Sequence, residues 1–230
     1  VYPGEIVAIA GSSGSGKSLL ASAVLGILPE NAVVRGHLHY KGQQLTEERQ
    51  RQLRGKEIAL VPQSVAYLDP LMRVGKQVDG PLKSRRDGKR KKIFDRFHLP
   101  EGIEQLYPFQ LSGGMARRVL VSTALMTDAE LVIADEPTPG MSLDQAIEAL
   151  QMFREMADEG KAVILITHDI DLAFEFADRV AVFYAGTTVE TAPASDFKIG
   201  PEALRHPYSK ALWRALPQNE FEPIPGFQPY

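Results

Sequence analysis

The chain has 230 residues, a formal net charge of −3 and no cysteine. Its 26 basic and 29 acidic residues nearly balance, so composition alone calls for no nucleic-acid partner. The missing thiols exclude disulfides, thiolate zinc sites, cysteine nucleophiles and cysteine-ligated iron–sulfur clusters within it. No apolar run approaches the roughly 18 residues that span a bilayer.

Residues 5–10 (EIVAIA) form a short continuous apolar run, the pattern of a strand covered on both faces. A glycine-rich turn follows, then residues 17–28, rich in helix formers and stopped by Pro29. Residues 36–41 alternate like a strand, residues 46–54 read as a short polar helix, and residues 57–61 as a strand stopped by Pro62. From 64 to 127 no strand pattern convinces, and helices and loops are expected. Residues 131–134 (LVIA), 162–167 (AVILIT) and 180–184 (VAVFY) are again buried-strand patterns. The first two are joined by a helix on which Ile147, Leu150, Phe153 and Met156 recur at helical spacing. After 187–191 the chain reads as irregular, apart from a short helix near 209–215, and it ends rich in proline. Strand–helix alternation with continuous apolar strands implies an α/β fold, a mostly parallel sheet flanked by helices and interrupted by an all-helical insertion.

Gly11, Ser12, Ser13, Gly14, Ser15, Gly16, Lys17 and Ser18 fit the pattern G-x-x-x-x-G-K-[ST], in the strand–turn–helix setting that the pattern requires. Phosphate oxygens must approach the backbone closely, and glycine lets successive N–H groups converge into a concave nest. The helix that starts near Lys17 adds its positive dipole end. Lys17 then supplies a point charge to the β and γ phosphates, and the Ser18 hydroxyl a Mg²⁺ ligand. The rival reading, a flexible Gly/Ser turn, leaves the flanking strand and helix unexplained. A second signal is the apolar strand that ends in Asp135 and Glu136. Buried carboxylates are costly without a cation, so Asp135 is expected to hold Mg²⁺ and Glu136 to orient and deprotonate an attacking water.

Between those signals lies Leu111-Ser112-Gly113-Gly114-Met115, which resembles the LSGGQ signature of the ATP-binding cassette (ABC) ATPases. The order of motifs is similar to that family along nearly the whole chain: phosphate loop, Gln63 after a strand, helical insertion, LSGGM, acidic strand, and Thr167-His168-Asp169 after a strand. The resemblance implies a P-loop NTPase fold with a RecA-like ATP-binding core over residues 1–64 and 128–192, a helical subdomain over 65–127 and a C-terminal extension over 193–230. It implies ATP and Mg²⁺ as cofactors. Gln63 would touch Mg²⁺ or water and report to a membrane partner, and His168 would contact the γ-phosphate. Ser112, Gly113 and Gly114 would face the ATP of a second, homologous subunit. Ser112 also reads as the cap of a helix whose N-terminal amides favour the triphosphate.

Three segments resemble the oligopeptide/dipeptide/nickel importers within that family: residues 106–115 (LYPFQLSGGM), 206–212 (HPYSKAL) and 222–226 (EPIPG). The implied function is ATP hydrolysis that powers uptake of a peptide or nickel through two membrane permease subunits. The implied system includes a solute-binding protein and a second ATPase subunit, and no nucleic acid. The chain would then work peripherally at the cytoplasmic face of the membrane. A soluble non-transport ABC ATPase and a regulatory cassette are the alternatives. Several members of this group carry an iron–sulfur cluster on cysteines of the C-terminal extension, which the missing cysteines exclude here.

The chain also departs from the pattern. Met115 and Arg117 stand where glutamines are usual, and Pro139-Gly140-Met141-Ser142 replaces the usual D-loop, with Ser142 at the aspartate position. Ser142 and Gln145 read instead as a capping box. Residues 83–92 (KSRRDGKRKK) hold seven bases and one acid. They read as a solvated loop or a contact for anionic headgroups or an acidic permease face. The resemblance further leads us to expect more residues ahead of Val1, carrying an aromatic that stacks on adenine, since Tyr2 lies too near Gly11 to serve.

Overall fold

The computed structural model describes residues 1–80, 87–222 and 224. In chain order its elements are β1 (Ile6–Ala10), α1 (Lys17–Leu25), β2 (His39–Tyr40), β3 (Gln43–Gln44), α2 (Glu47–Leu53), β4 (Ile58–Val61), α3 (Val74–Asp79) and α4 (Asp87–Arg96). There follow α5 (Gly113–Leu125), β5 (Leu131–Asp135), α6 (Leu143–Asp158), β6 (Ala162–Ile166), α7 (Ile170–Phe176), β7 (Arg179–Tyr184), β8 (Thr187–Pro193), α8 (Ala194–Ile199) and α9 (Pro207–Arg214). The chain forms two compact units. One holds Val1, Glu5–Arg54 and Ile164–Tyr230, the other Tyr2–Gly4 and Gly55–Val163, so the division runs through β6.

In the first unit the strand order is β6-β1-β7-β8. β1 pairs with β7 in parallel, Ala8 opposite Val180 and Ala10 opposite Val182, while β7 and β8 are antiparallel. Alanines at 8 and 10 leave room on the sheet for the large side chains of α7, α8 and α9. Ile170, Phe174, Phe197 and Leu212 join Ala8, Ala10, Val180 and Val182 in one buried cluster. Phe174 and Phe197 stack with centroids 4.6 Å apart, and the Trp213 indole N–H donates to the Phe197 carbonyl at 2.7 Å. Helix α9 is thereby tied to α8 as well as to the sheet.

In the second unit β4 and β5 pair in parallel, Ile58 opposite Leu131 and Val61 opposite Ala134. All five residues of β5 are buried, as its continuous apolar run predicts. Helix α5 packs on β4 and against α3, α4 and α6. On α6, Leu150, Phe153 and Met156 are buried as the helical spacing predicts, with Ile147 at the margin. Between residues 65 and 127 the described residues hold helices, turns and loops with no strand, in agreement with the sequence.

Three expectations are corrected. The helix from Lys17 stops at Leu25, ahead of Pro29, because Gly26 takes a left-handed conformation (φ 64°). Its N–H and that of Ile27 close back onto Ala23 and Ser22. Residues 36–41 yield only the two-residue β2, paired with β3. The chain after 191 is not simply irregular: β8 runs on to Pro193 and α8 follows. Strand β8 is TTVETAP, mostly exposed, so it lacks the apolar pattern that marks a strand. It is held by its ladder to β7 across the two-residue turn Ala185-Gly186, at φ 49° and 76°.

Of the basic run, residues 83–86 lie outside the described residues, as do 223 and 225–230 of the proline-rich end. Within the described part of the run, Arg90 pairs with Asp79. Among the described residues no helix is long and apolar enough to cross a membrane.

Candidate functional site

Strand β1 delivers the chain into the glycine-rich turn of the first unit. Gly11 is buried so close to Phe183 that a Cβ there would overlap the Phe183 carbonyl, which fixes glycine at this position. Gly16, at φ 97°, turns the chain into α1. The Ser15 N–H closes onto the Ser12 carbonyl at 3.3 Å, and the Gly186 N–H in the β7–β8 turn donates to the Ser15 carbonyl at 3.1 Å. Lys17 is 7 % exposed. Its ammonium folds into the loop and donates to the carbonyls of Gly11 and Ser12, each at 2.8 Å. Ser13, Gly14 and Ser18 are exposed, Ser12 and Gly16 half-buried, Ser15 buried. A backbone nest around a buried ammonium, followed by a helix N-terminus, fits a polyphosphate by charge and by donor set.

His168, in the same unit, follows β6 and is exposed. Its neighbours fix the backbone on either side. The Thr167 N–H donates to the Ile9 carbonyl at 3.2 Å, and the Thr167 hydroxyl accepts from the Asp169 N–H at 3.0 Å. The Asp169 carboxylate caps α7 by accepting from the Leu172 N–H.

In the second unit β5 ends on Asp135, and Glu136 follows in the left-handed region at φ 50°. That conformation is uncommon for a residue with a side chain and redirects it at the strand end. Both residues are 6 % exposed. Pro62 and the exposed Gln63 continue from β4, which runs in parallel register beside β5, so Gln63 leaves the sheet next to these acids. Arg117, on α5, donates to the carbonyls of Pro62 (3.2 Å) and Gln63. Burial pulls the Arg117 guanidinium below its ordinary value, and the charges of Glu136 and Asp135 act against that pull. One side chain of the signature helix thus joins the Gln63 segment and lies in the field of the acidic strand end.

Ser112 caps α5, its hydroxyl accepting from the Met115 N–H at 3.3 Å, with Gly113 and Gly114 in the first turn. A Cβ on Gly114 would lie 3.1 Å from the Gly140 carbonyl, so glycine here permits close approach of the segment that replaces the usual D-loop. The capping box expected of Ser142 and Gln145 is present in both directions, and Asp144 lies in the first turn of α6.

Arg117 stands out in the sequence only as a departure from the family pattern, and its bonds are not foreseeable there. The available signal is its place on a helical face with Leu120, Val121 and Ala124, all buried. Tyr208, whose hydroxyl donates to Ser12 Oγ at 3.4 Å, carries no sequence signal of that contact.

Residues 1–139 match the family described as ABC transporter. A peptide import ATP-binding protein of Brucella abortus is 36 % identical over 247 aligned residues, covering 99 % of this chain and 74 % of the relative. The dipeptide transport ATP-binding protein DppD of Escherichia coli is 35 % identical over 249, covering all of this chain and 75 % of the relative. Among solved structures, the dimeric post-hydrolysis state of the ATP-binding cassette MJ0796, bound to ADP and Pi, superposes with a TM-score of 0.73 at 26 % identity. The match covers 84 % of this chain and 87 % of that one.

Proposed function

We propose that this chain, which belongs to the ABC transporter family as an ATP-binding, ATP-hydrolysing subunit, drives the import of peptides. The observation that carries the nucleotide reading is the phosphate loop, with the Lys17 ammonium held by the Gly11 and Ser12 carbonyls inside a glycine turn. Peptide, rather than nickel, follows from the names of relatives that match the chain along its whole length, a peptide importer and a dipeptide transporter.

In this reading the N–H groups from Gly11 to Ser18 and the Lys17 ammonium bind the β and γ phosphates. Ser18, Asp135 and Gln63 hold Mg²⁺, which when bound supplies charge neutralisation at the phosphates. Glu136 accepts the proton of the attacking water, and His168 contacts the γ-phosphate. Ser112, Gly113 and Gly114 present the N-terminus of α5 to the ATP of a second ABC subunit, so that binding and hydrolysis alternately join and release the pair. The RecA-like core, helical subdomain and C-terminal extension divide as residues 1–64 with 128–192, 65–127 and 193–230. Two permease subunits carry the peptide, a solute-binding protein supplies it, and the chain sits peripherally at the cytoplasmic face of the membrane.

Glu136→Gln tests the assignment of the base. MgATP binding, measured by calorimetry, should persist while the hydrolysis rate falls about 10²–10⁴-fold. Hydrolysis at the wild-type rate would remove Glu136 from that role. Peptide-dependent growth of a host lacking the chain should return with the wild type and not with Glu136→Gln.

A further inference from the structure

The segment 206–212 marks this chain as similar to peptide importers, yet the ATPase cycle gives it no work. The fold nevertheless anchors it at both ends. Strand β8 presents Glu190, whose carboxylate accepts from the Arg205 N–H at 2.8 Å and from the His206 N–H at 2.9 Å. His206 then caps α9 through Nδ1, which accepts from the Tyr208 N–H at 3.1 Å, and Pro207 occupies the first helical position. At its far end α9 is tied by Trp213 to the Phe197 carbonyl. A helix fixed at both ends has one orientation, and this one brings Tyr208 to the phosphate loop. Its ring packs on Tyr184, centroids 4.2 Å apart, and its hydroxyl donates to Ser12 Oγ at 3.4 Å.

Tyr184 is the last residue of β7, immediately before the turn whose Gly186 N–H donates to the Ser15 carbonyl. Phe183, one residue earlier, is the residue against which Gly11 is packed. Three contacts therefore grip the loop from one side: backbone packing at Gly11, a hydrogen bond at Ser15, and Tyr208 at Ser12. The first two come from the sheet, and the third comes from the 206–212 segment alone.

We propose that Tyr208 is a positioning residue that fixes the Ser12 part of the phosphate loop in its binding conformation before nucleotide arrives. This rests on the reading of Gly11 to Ser18 as the phosphate loop. The mechanism is preorganisation. A glycine- and serine-rich turn loses conformational freedom when it closes on phosphates, and a loop already braced loses less. Tyr208 touches the loop and leaves the phosphate-facing N–H groups free of its own hydroxyl, so it acts through Ser12 on affinity and not on the chemical step.

The test is the MgATP affinity of the 230-residue chain by calorimetry, with kcat and KM measured alongside. Tyr208→Phe keeps the ring on Tyr184 and removes one hydroxyl. It should weaken affinity and raise KM by roughly two- to tenfold, the range of one net hydrogen bond, with kcat unchanged. Ser12→Ala should weaken affinity by a similar factor, and the double variant should be no weaker than the weaker single variant. Wild-type affinity in Tyr208→Phe overturns the proposal, whether or not its melting temperature falls, because a merely structural tyrosine would alter stability alone. Losses that multiply in the double variant overturn it too. Lys17→Ala separates the two levels. If it binds MgATP as tightly as the wild type, the phosphate-loop reading itself fails; if it loses binding while Tyr208→Phe keeps it, only the brace fails.

Discussion

Arg117 is 8 % exposed, and a cation so buried needs partners within the protein. The carbonyls of Pro62 and Gln63 accept from its two terminal nitrogens, while the buried Nε has no hydrogen-bond partner, and Asp135 and Glu136 contribute through their field. In return the arginine gives a charged donor to two carbonyls of the segment that follows β4, beyond its ladder to β5. Arg117→Met keeps most of the volume and the aliphatic stem but removes every donor. Leaving the buried Pro62 carbonyl without this donor costs about 1–3 kcal/mol, and the denaturant midpoint should fall accordingly with little change in slope. An unchanged midpoint would mean that water or neighbouring groups satisfy those carbonyls when the arginine is gone. Glutamine, usual at this position by resemblance, is shorter and uncharged, so this chain has placed a fixed charge where the family pattern has a neutral amide.

Helix α6 shows how one residue can belong to two patterns. Ser142 stands where the resemblance places a D-loop aspartate, and the structure uses it as the first half of a reciprocal cap with Gln145. Ser142→Ala removes the side-chain acceptor for the Gln145 N–H and should destabilise by about 1 kcal/mol. Ser142→Asp restores an acceptor and adds a charge favourable to the helix N-terminus, so its stability should match the wild type. That pair of variants separates the cap from communication between ATP sites. A change in ATPase rate or cooperativity in Ser142→Asp, at unchanged midpoint, would belong to the D-loop position. No change would mean that the departure has no consequence for catalysis.

For the whole molecule, the pH dependence of stability follows from which charges folding has altered. Burial raises the Glu190 pKa, but the Ser209 side chain and the N–H groups of Arg205 and His206 outweigh it, and the carboxyl sits below its ordinary value. A depressed folded-state value means that ionised Glu190 stabilises the fold above the ordinary carboxylate range, and that this contribution is lost as pH falls through the folded value. Glu190→Gln should therefore lower the melting temperature at neutral pH, with the gap from wild type closing below the ordinary carboxylate range. A gap that persists unchanged into acid would show that the charge contributes nothing. The same carboxylate anchors the start of α9, so its loss should also loosen the contact between Tyr208 and Ser12.

Signals that are local in the chain are legible in the amino-acid order itself. Glycine spacing marks the phosphate loop, continuous apolar runs mark β1, β4, β5, β6 and β7, and side-chain oxygens three residues ahead of a free N–H mark the caps at Ser112 and Ser142. Each of these depends on residues within one turn or one strand of each other, and such spacing is written directly in sequence. Strand β8 is not legible in this way, because most of its residues are polar, only Ala192 is buried, and the strand is paired along its length by the ladder to β7. Nor are the partners of Arg117 and Tyr208, which lie 54 and 196 positions away. Membership of the ABC transporter family, with its ATP-binding character, can thus be read from the chain alone. Which distant side chains hold those residues in place is settled in the fold, because a hydrogen bond between remote segments is chosen by where the packed core puts them.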